Sequence, residues 1–382
     1  MGVKYFADKR IFKLDANNTS YIIGIVDDEN FIGHVYFGRR IGDMHFSPES
    51  LMRINEYPFV PSKNKRDRLS FYDTFPQEYP THGIGDFRET CLEIRDVNGH
   101  AVSKLQYVSH RITGGKPKLE GLPATFGNED DCTTLELFCE DPVLGLEVVL
   151  VYTAFEKLDV ITRSVRFRNN GRDPVWLKKA LSCCVDLDGA DFDIISLHGS
   201  WARERHVQRI PAGLGKKIFS SNRGEPGHQC NPFVAVVRPD ATEDSGEVYG
   251  FNFVYSGNFY ACVEGGQFET TRVAMGINPT DFEWLLEPGG EFIAPEVVMV
   301  FSYQGIGGMT RTFHDLYRGH LIRSPYRNKK RPVLINNWEA TYFDFDTEKL
   351  LAIAREASAL GIEMLVMDDG WFGKRNNDNC SL

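Results

Sequence analysis

Val160-Ile161-Thr162-Arg163-Ser164-Val165-Arg166-Phe167 alternates loosely between apolar and polar residues, as a half-buried antiparallel strand should. Runs of the same kind recur on both sides of it: Tyr21 to Val26, Phe31 to Phe37, Cys91 to Val97, Ala101 to Val108, Leu146 to Tyr152 and Val248 to Tyr255. Asn98-Gly99 sits between two of these runs and predicts a type I′ hairpin, while Asp141-Pro142 and Asn170-Gly171 punctuate others. So many short strands without intervening helices predict a large β-sandwich reaching to about Tyr303.

The pattern then changes. Gly308 to Leu321 carries Met309, Phe313, Leu316 and Tyr317 at helical spacing and predicts an amphipathic helix ending near Ser324-Pro325. Pro332 to Asn336 is a short apolar run. Asp346 or Thr347 can cap a helix with Leu350, Ala354, Ala357 and Leu360 on one face, Gly361 can end it, and Ile362 to Met367 is again apolar. Strand, helix, strand, with strands apolar on both faces, is one βαβ unit of a parallel sheet, whose ligand sites lie at the carboxyl ends of the strands. The expected domains are residues 1–307 for the sandwich, 308–331 for a linking helix and 332–382 for the parallel unit.

At 382 residues the chain is long enough for two domains, and 42% hydrophobic residues with 27 Phe and 15 Tyr exclude a disordered chain. A net charge of -10 argues against nucleic acid or an anionic membrane as partner and fits a neutral substrate. The first residues hold no apolar run of secretory-signal length, and the eight cysteines are scattered, with Cys183 and Cys184 adjacent in one strand, so free thiols in a reducing cytoplasm are expected. No pair of His or Cys has zinc-ligand spacing, and no metal or cofactor is expected.

Asp368-Asp369-Gly370-Trp371 places two carboxylates and an indole where a parallel strand delivers functional groups. The plain alternative is a turn whose Asp side chains cap backbone amides. Adjacent strand residues point to opposite faces, so the two are poorly placed as a nucleophile and acid flanking one bond, whereas ionised carboxylates suit sugar hydroxyls. Trp338, in Asn336-Asn337-Trp338-Glu339, offers a flat face to a sugar while the Asn side chains supply hydrogen bonds; otherwise it is a core aromatic. Trp201, between charges and next to Gly199-Ser200, is either a rim platform or a buried ring under surface ion pairs. His198 has no evident partner and reads as structural.

With these residues the chain resembles the bacterial α-galactosidases of glycoside hydrolase family 36. The matching stretches are Pro76-Gln77-Glu78-Tyr79-Pro80, Leu197 to Arg205, Tyr249-Gly250-Phe251, Tyr255 to Phe259, Met275 to Pro279, Asn336 to Phe345 and Asp368 to Gly373. The resemblance implies a mainly β fold: an N-terminal β-supersandwich followed by the first βαβ unit of a (β/α)8 barrel, truncated here, in a protein about twice this length. It implies that Asp368 and Asp369 bind the O4 and O6 hydroxyls of galactose, that Trp338 walls the subsite and that Trp201 reaches the pocket. A substrate-contacting Asp of the family falls on Asn55, which keeps hydrogen bonding but loses the charge. The family's nucleophile lies in a Lys-Trp-Asp motif and its acid/base Asp further on; neither motif occurs in this sequence, so no catalytic residue is expected within it. The implied function is removal of terminal α-galactose from melibiose- or raffinose-type oligosaccharides with retention, by a cytoplasmic homotetramer. The alternatives are an α-N-acetylgalactosaminidase or transglycosylating relative, and a non-catalytic sugar-binding sandwich.

Overall fold

The largest sheet is antiparallel and runs in the order Arg203–Pro211, Asp193–Ser200, Cys230–Val237, Val248–Val254, Glu291–Ser302, Val160–Asn169, Leu146–Phe155, Cys132–Asp141 and Gln106–Gly114. A second sheet, ordered Gly215–Ser221, Phe259–Gly265, Thr270–Ile277, Val175–Asp188 and Trp284–Leu286, also pairs Leu92–Arg95 with the long Val175–Asp188 strand. Their inner faces share one apolar core, to which Leu150, Val165, Leu181, Val185, Val273 and Met299 contribute, so the chain folds as a mainly β sandwich. A four-stranded meander, Val3–Phe6 to Phe31–Arg39, adds Phe12, Tyr21 and Ile23 to that core. This computed structural model describes residues 2–26, 28–43, 72 and 74–381, and the chain forms two compact units, Met1–Leu321 and Ile322–Leu382.

The strand that opened the sequence reading is more buried than its alternation predicts. Val160 to Val165 are all buried, Arg163 included. Arg163 is tolerated inside because its guanidinium donates to the Cys184 and Glu78 carbonyls and to the Tyr21 hydroxyl, and stacks on the Tyr152 ring at 4.5 Å. Glu78, in the Pro76 to Pro80 stretch, is the counter-charge, accepting from the Tyr21 hydroxyl at 2.9 Å and the Tyr152 hydroxyl at 2.6 Å. Sequence alternation fails here because both faces of the strand are covered and a polar network replaces the solvent.

A second buried network lies beside it. Arg272 donates to both oxygens of Asp186 at 2.7 and 2.8 Å and to Asp86 at 2.9 Å, all three side chains being at most 1% exposed. Burial alone would raise the Asp186 carboxyl, but Arg272 and Arg88 outweigh it and bring it down to about 2. A depressed carboxyl contributes stability above its unfolded-state pKa, near 4, and loses it as pH falls toward 2. At about 1.4 kcal/mol per pH unit, roughly 2 kcal/mol should disappear over that window. Urea unfolding at stepped pH is expected to show this loss, and Asp186→Asn to remove that part of the slope; an unchanged slope in the variant would refute the assignment.

The Asn98-Gly99 hairpin does not form. Gly99 takes φ 86°, but Asn98 is not left-handed, and Leu92–Arg95 pairs with Val175–Asp188 instead of with the residues after the turn. Asp96 decides this: its carboxylate accepts from the Asn98 and His100 amides at 2.9 and 2.8 Å, closing the turn by side-chain capping. The run Ala101 to Val108 is accordingly mostly outside a strand, which begins only at Gln106.

The predicted helix after the sandwich spans Gly305–His320, starting three residues early and ending before Ser324-Pro325. Met309, Phe313 and Leu316 bury against the large sheet, and the Tyr317 hydroxyl donates to Asn252 Oδ1 at 2.8 Å. Gly305 is required at the start, since its φ is 68° and a Cβ would lie 2.4 Å from the Thr242 carbonyl oxygen. In the second unit Leu334–Asn336 and Met364–Val366 pair in parallel, with helix Thr347–Ala359 between them, capped by Asp346 accepting from the Lys349 amide. Leu360, expected on the helix's apolar face, is 82% exposed because it falls in the C-terminal cap.

Candidate functional site

The second unit gathers its polar side chains at the carboxyl ends of the parallel pair. Asn337 follows one strand directly, and its backbone amide donates to the Val366 carbonyl, the last residue of the other strand. Its side chain accepts from the Asp368 amide at 2.8 Å and donates to the Thr341 hydroxyl at 3.0 Å. Asn336 donates from Nδ2 to Asp368 Oδ2 at 2.6 Å and accepts the Trp338 amide at 2.8 Å. The two Asn side chains, which the sequence reading offered to a sugar, are therefore engaged in fixing Asp368 and Trp338.

Asp368 and Asp369 lie beyond the strand end, in the turn, so strand alternation does not set their directions. Both also cap backbone: Asp368 Oδ1 accepts the Asp369 amide and Asp369 Oδ1 the Gly370 amide, each at 2.8 Å. The capping alternative is thus realised, without consuming the carboxylates' remaining lone pairs. Arg375 is the residue that the sequence reading missed. Its Nε and Nη2 grip Asp369 at 2.9 and 2.7 Å, and its Nη1 donates to the Asn377 and Cys380 carbonyls at 2.9 Å, locking the loop. The hydrogen bonds from Arg375 hold the Asp369 carboxyl below the usual carboxylate range. The only signal in the sequence was a lone Arg six residues after the Asp pair.

Trp338 opens the short helix Trp338–Thr341, half-buried, with the edges of Tyr342 and Phe343 at 5.3 and 4.9 Å. Tyr342 closes that helix at φ 47°, a left-handed conformation costly for an aromatic residue, so the loop is held against its own preference. The cluster offers fixed, ionised hydrogen-bond acceptors beside an aromatic wall.

In the first unit Trp201 sits at the tip of the hairpin made by Asp193–Ser200 and Arg203–Pro211, in a two-residue loop closed by the Ser200 and Arg203 pair, with Ala202 at φ 60°. It is 84% exposed, which excludes the buried-ring alternative. His198 has partners that the sequence hid: the Ser196 hydroxyl at 2.9 Å and the Gln229 carbonyl at 3.1 Å. Asn55 lies outside the described residues. Among the described residues no three His, Cys, Asp or Glu side chains are grouped to hold a metal, and the eight cysteines are unbridged.

Comparison with known proteins adds the following. The family model "Glycosyl hydrolase family 36 N-terminal domain" matches residues 30–287, and the model "Melibiase" matches residues 291–382. The α-galactosidase AgaA of Geobacillus stearothermophilus is 49% identical over 383 residues, covering 100% of this chain and 52% of the relative. The crystal structure of the α-galactosidase AgaB of the same organism superposes with a TM-score of 0.95 at 49% identity, covering 100% of this chain and 52% of that one. A variant of AgaA solved in complex with raffinose superposes with a TM-score of 0.94 at 49% identity, covering 97% of this chain and 52% of that one. The chain spans about half the length of the curated relatives it matches.

Proposed function

Because this chain belongs to glycosyl hydrolase family 36, we propose that it supplies the sandwich and the galactose-gripping strand ends of a retaining α-galactosidase acting on raffinose- and melibiose-type oligosaccharides. The observation that carries the reading is the Asp368 and Asp369 pair, held at the carboxyl ends of two parallel strands by Asn336, Asn337 and Arg375. Galactose differs from glucose by an axial O4, and a pair of preset carboxylates takes the O4 and O6 hydroxyls as donors. The raffinose bound by the AgaA variant ends in such a galactose and supports this substrate class.

The residues divide the work as follows. Asp368 and Asp369 accept the sugar hydroxyls. Arg375 positions Asp369 and holds its carboxyl below the usual carboxylate range, so it stays ionised to a lower pH than an unpaired Asp would. Trp338 provides the apolar wall, and the exposed Trp201 a second aromatic surface for sugar. In retaining hydrolysis a carboxylate attacks the anomeric carbon, an acid protonates the leaving oxygen, and water then hydrolyses the glycosyl enzyme. Those two groups are assigned to sequence other than residues 1–382, which hold no Lys-Trp-Asp motif. A cytoplasmic homotetramer is part of the same proposal.

The test is kinetic. In an active protein containing residues 1–382, Asp369→Asn is expected to lower kcat/KM for an aryl α-galactoside by roughly 10- to 150-fold, the worth of a charge-assisted hydrogen bond at about 1.5–3 kcal/mol. The aryl α-glucoside should be poor in both proteins. Wild-type kcat/KM in the variant would make Asp369 a structural residue only.

A further inference from the structure

Phe343 has no polar side-chain atom to offer a ligand, yet it touches both halves of the candidate site. Its ring meets Trp338 edge-on, with centroids 4.9 Å apart at 88°, and the Arg375 guanidinium carbon lies 5.5 Å from its own centroid. A third contact is with Gly370. A Cβ built there would fall 3.2 Å from Phe343 Cδ1 and 3.1 Å from Phe345 Cε1, and the φ of 97° favours glycine independently. The backbone of the Asp369-Gly370 turn rests directly on these two rings.

The chain reaches this position by a sharp reversal. Tyr342, at φ 47° and ψ -127°, ends the short helix Trp338–Thr341, and its amide donates to the Trp338 carbonyl at 2.7 Å. That conformation is costly for an aromatic residue, so the packing of the loop must hold it. Tyr342 itself is 54% exposed, whereas Phe343 and Phe345, the rings against Gly370, are half-buried.

What Phe343 adds follows from the shape of the guanidinium. Arg375 donates to Asp369, Asn377 and Cys380 through N–H groups that lie in the plane of its fork, and such bonds leave the tilt of that plane to whatever packs on its face. The Phe343 ring is such a surface, and the tilt sets the direction in which Asp369 is presented. The Gly370 contact acts on the same carboxylate, because the Gly370 amide donates to Asp369 Oδ1 at 2.8 Å. Asp368 is anchored otherwise, by the Asn336 side chain and by its own amide on Asn337. Phe343 thus has two routes to one carboxylate of the pair and, through Trp338, one to the aromatic wall.

We propose that Phe343 is a positioning residue of the sugar site, which sets Asp369 through Arg375 and Gly370 and fixes the Trp338 wall beside it. This rests on the galactose reading of the Asp pair. The experiment uses an active protein containing residues 1–382 and aryl α-galactosides that carry or lack the O4 or the O6 hydroxyl. Asp369→Asn is expected to remove most of the preference for one of these hydroxyls, which is then followed in Phe343→Leu. That variant keeps an apolar side chain without the ring face. It is expected to lower kcat/KM for the parent galactoside by roughly two- to fivefold, to cut the preference for the same hydroxyl by a similar factor and to leave the preference for the other unchanged. Phe343→Tyr, which keeps the ring, should restore both values. Phe343→Met is measured alongside, so that the result does not hang on whether the leucine variant folds. A role in folding alone would lower all three substrates equally and leave both preferences intact. That outcome in the Leu and Met variants, beside a lost preference in Asp369→Asn, would overturn the inference and leave the galactose reading standing. Both preferences intact in Asp369→Asn would overturn that reading, and this inference with it.

Discussion

A polypeptide of residues 1–382 alone is expected to release no galactose from an aryl α-galactoside, at least about 10⁴-fold below a protein in which the same residues are followed by the second half of the G. stearothermophilus relative. Retaining hydrolysis needs a nucleophile and a proton donor about 5 Å apart on either side of one bond. The carboxyls that this chain gathers at its strand ends are engaged otherwise. Asp369 is held in an ion pair by Arg375 and is shifted down, the wrong direction for a general acid. Asp368 is committed to Asn336 and to a backbone amide. Equal rates from the short and the extended proteins would place the catalytic carboxyls within residues 1–382, with Asp368, Asp369 and Glu339 the candidates.

The second large effect concerns stability. Arg272→Met is expected to destabilise the sandwich by about 3–5 kcal/mol, because it leaves two buried carboxylates, Asp186 and Asp86, sharing Arg88 as their one remaining counter-charge among the described residues. The loss should be larger than the net worth of the ion pair, since what remains is a buried cluster with two carboxylates against one guanidinium. Lys118→Met, which breaks the exposed pair with Glu120, should cost under about 1 kcal/mol and serves as the control. Urea denaturation of the two variants measures both. An Arg272→Met protein within about 1 kcal/mol of the parent would mean that the cluster is solvated or unpaired in solution.

What could be read from the sequence follows from which interactions are local. Strand runs such as Leu146 to Tyr152 and Val248 to Tyr255 were legible because apolar β-formers declare themselves within a few residues. The helix carrying Met309 and Phe313 was legible by its period, and the parallel unit by apolar runs flanking a capped helix. The hairpin at Asn98-Gly99 failed because Asp96, two residues upstream, supplied a competing cap. Nothing in the neighbouring sequence marks Arg163 or Arg272 as buried. Their partners, Glu78 and Asp186, are 85 and 86 residues distant, and no local pattern encodes such a pair.

The site divides in the same way. Asp368, Asp369 and Trp338 were visible as unusual residues at predicted strand ends, and Trp201 as an aromatic in a polar turn. Arg375 was not visible, because a single Arg in a loop of Lys374, Asn376 and Asn377 resembles any solvated surface segment. Nor could the sequence show that Asn336 and Asn337 spend their amides on the protein.

The most direct measurement of the central claim is a double-mutant cycle on the extended active protein, pairing Asp368→Asn and Asp369→Asn with aryl galactosides lacking the O4 or the O6 hydroxyl. If each carboxylate grips one hydroxyl, removing that hydroxyl should cost far less once its carboxylate is gone, with a coupling of about 1 kcal/mol or more in kcat/KM for one carboxylate with each hydroxyl. Additive losses, within about 0.5 kcal/mol for all four combinations, would contradict the account and leave the Asp pair a turn-capping element.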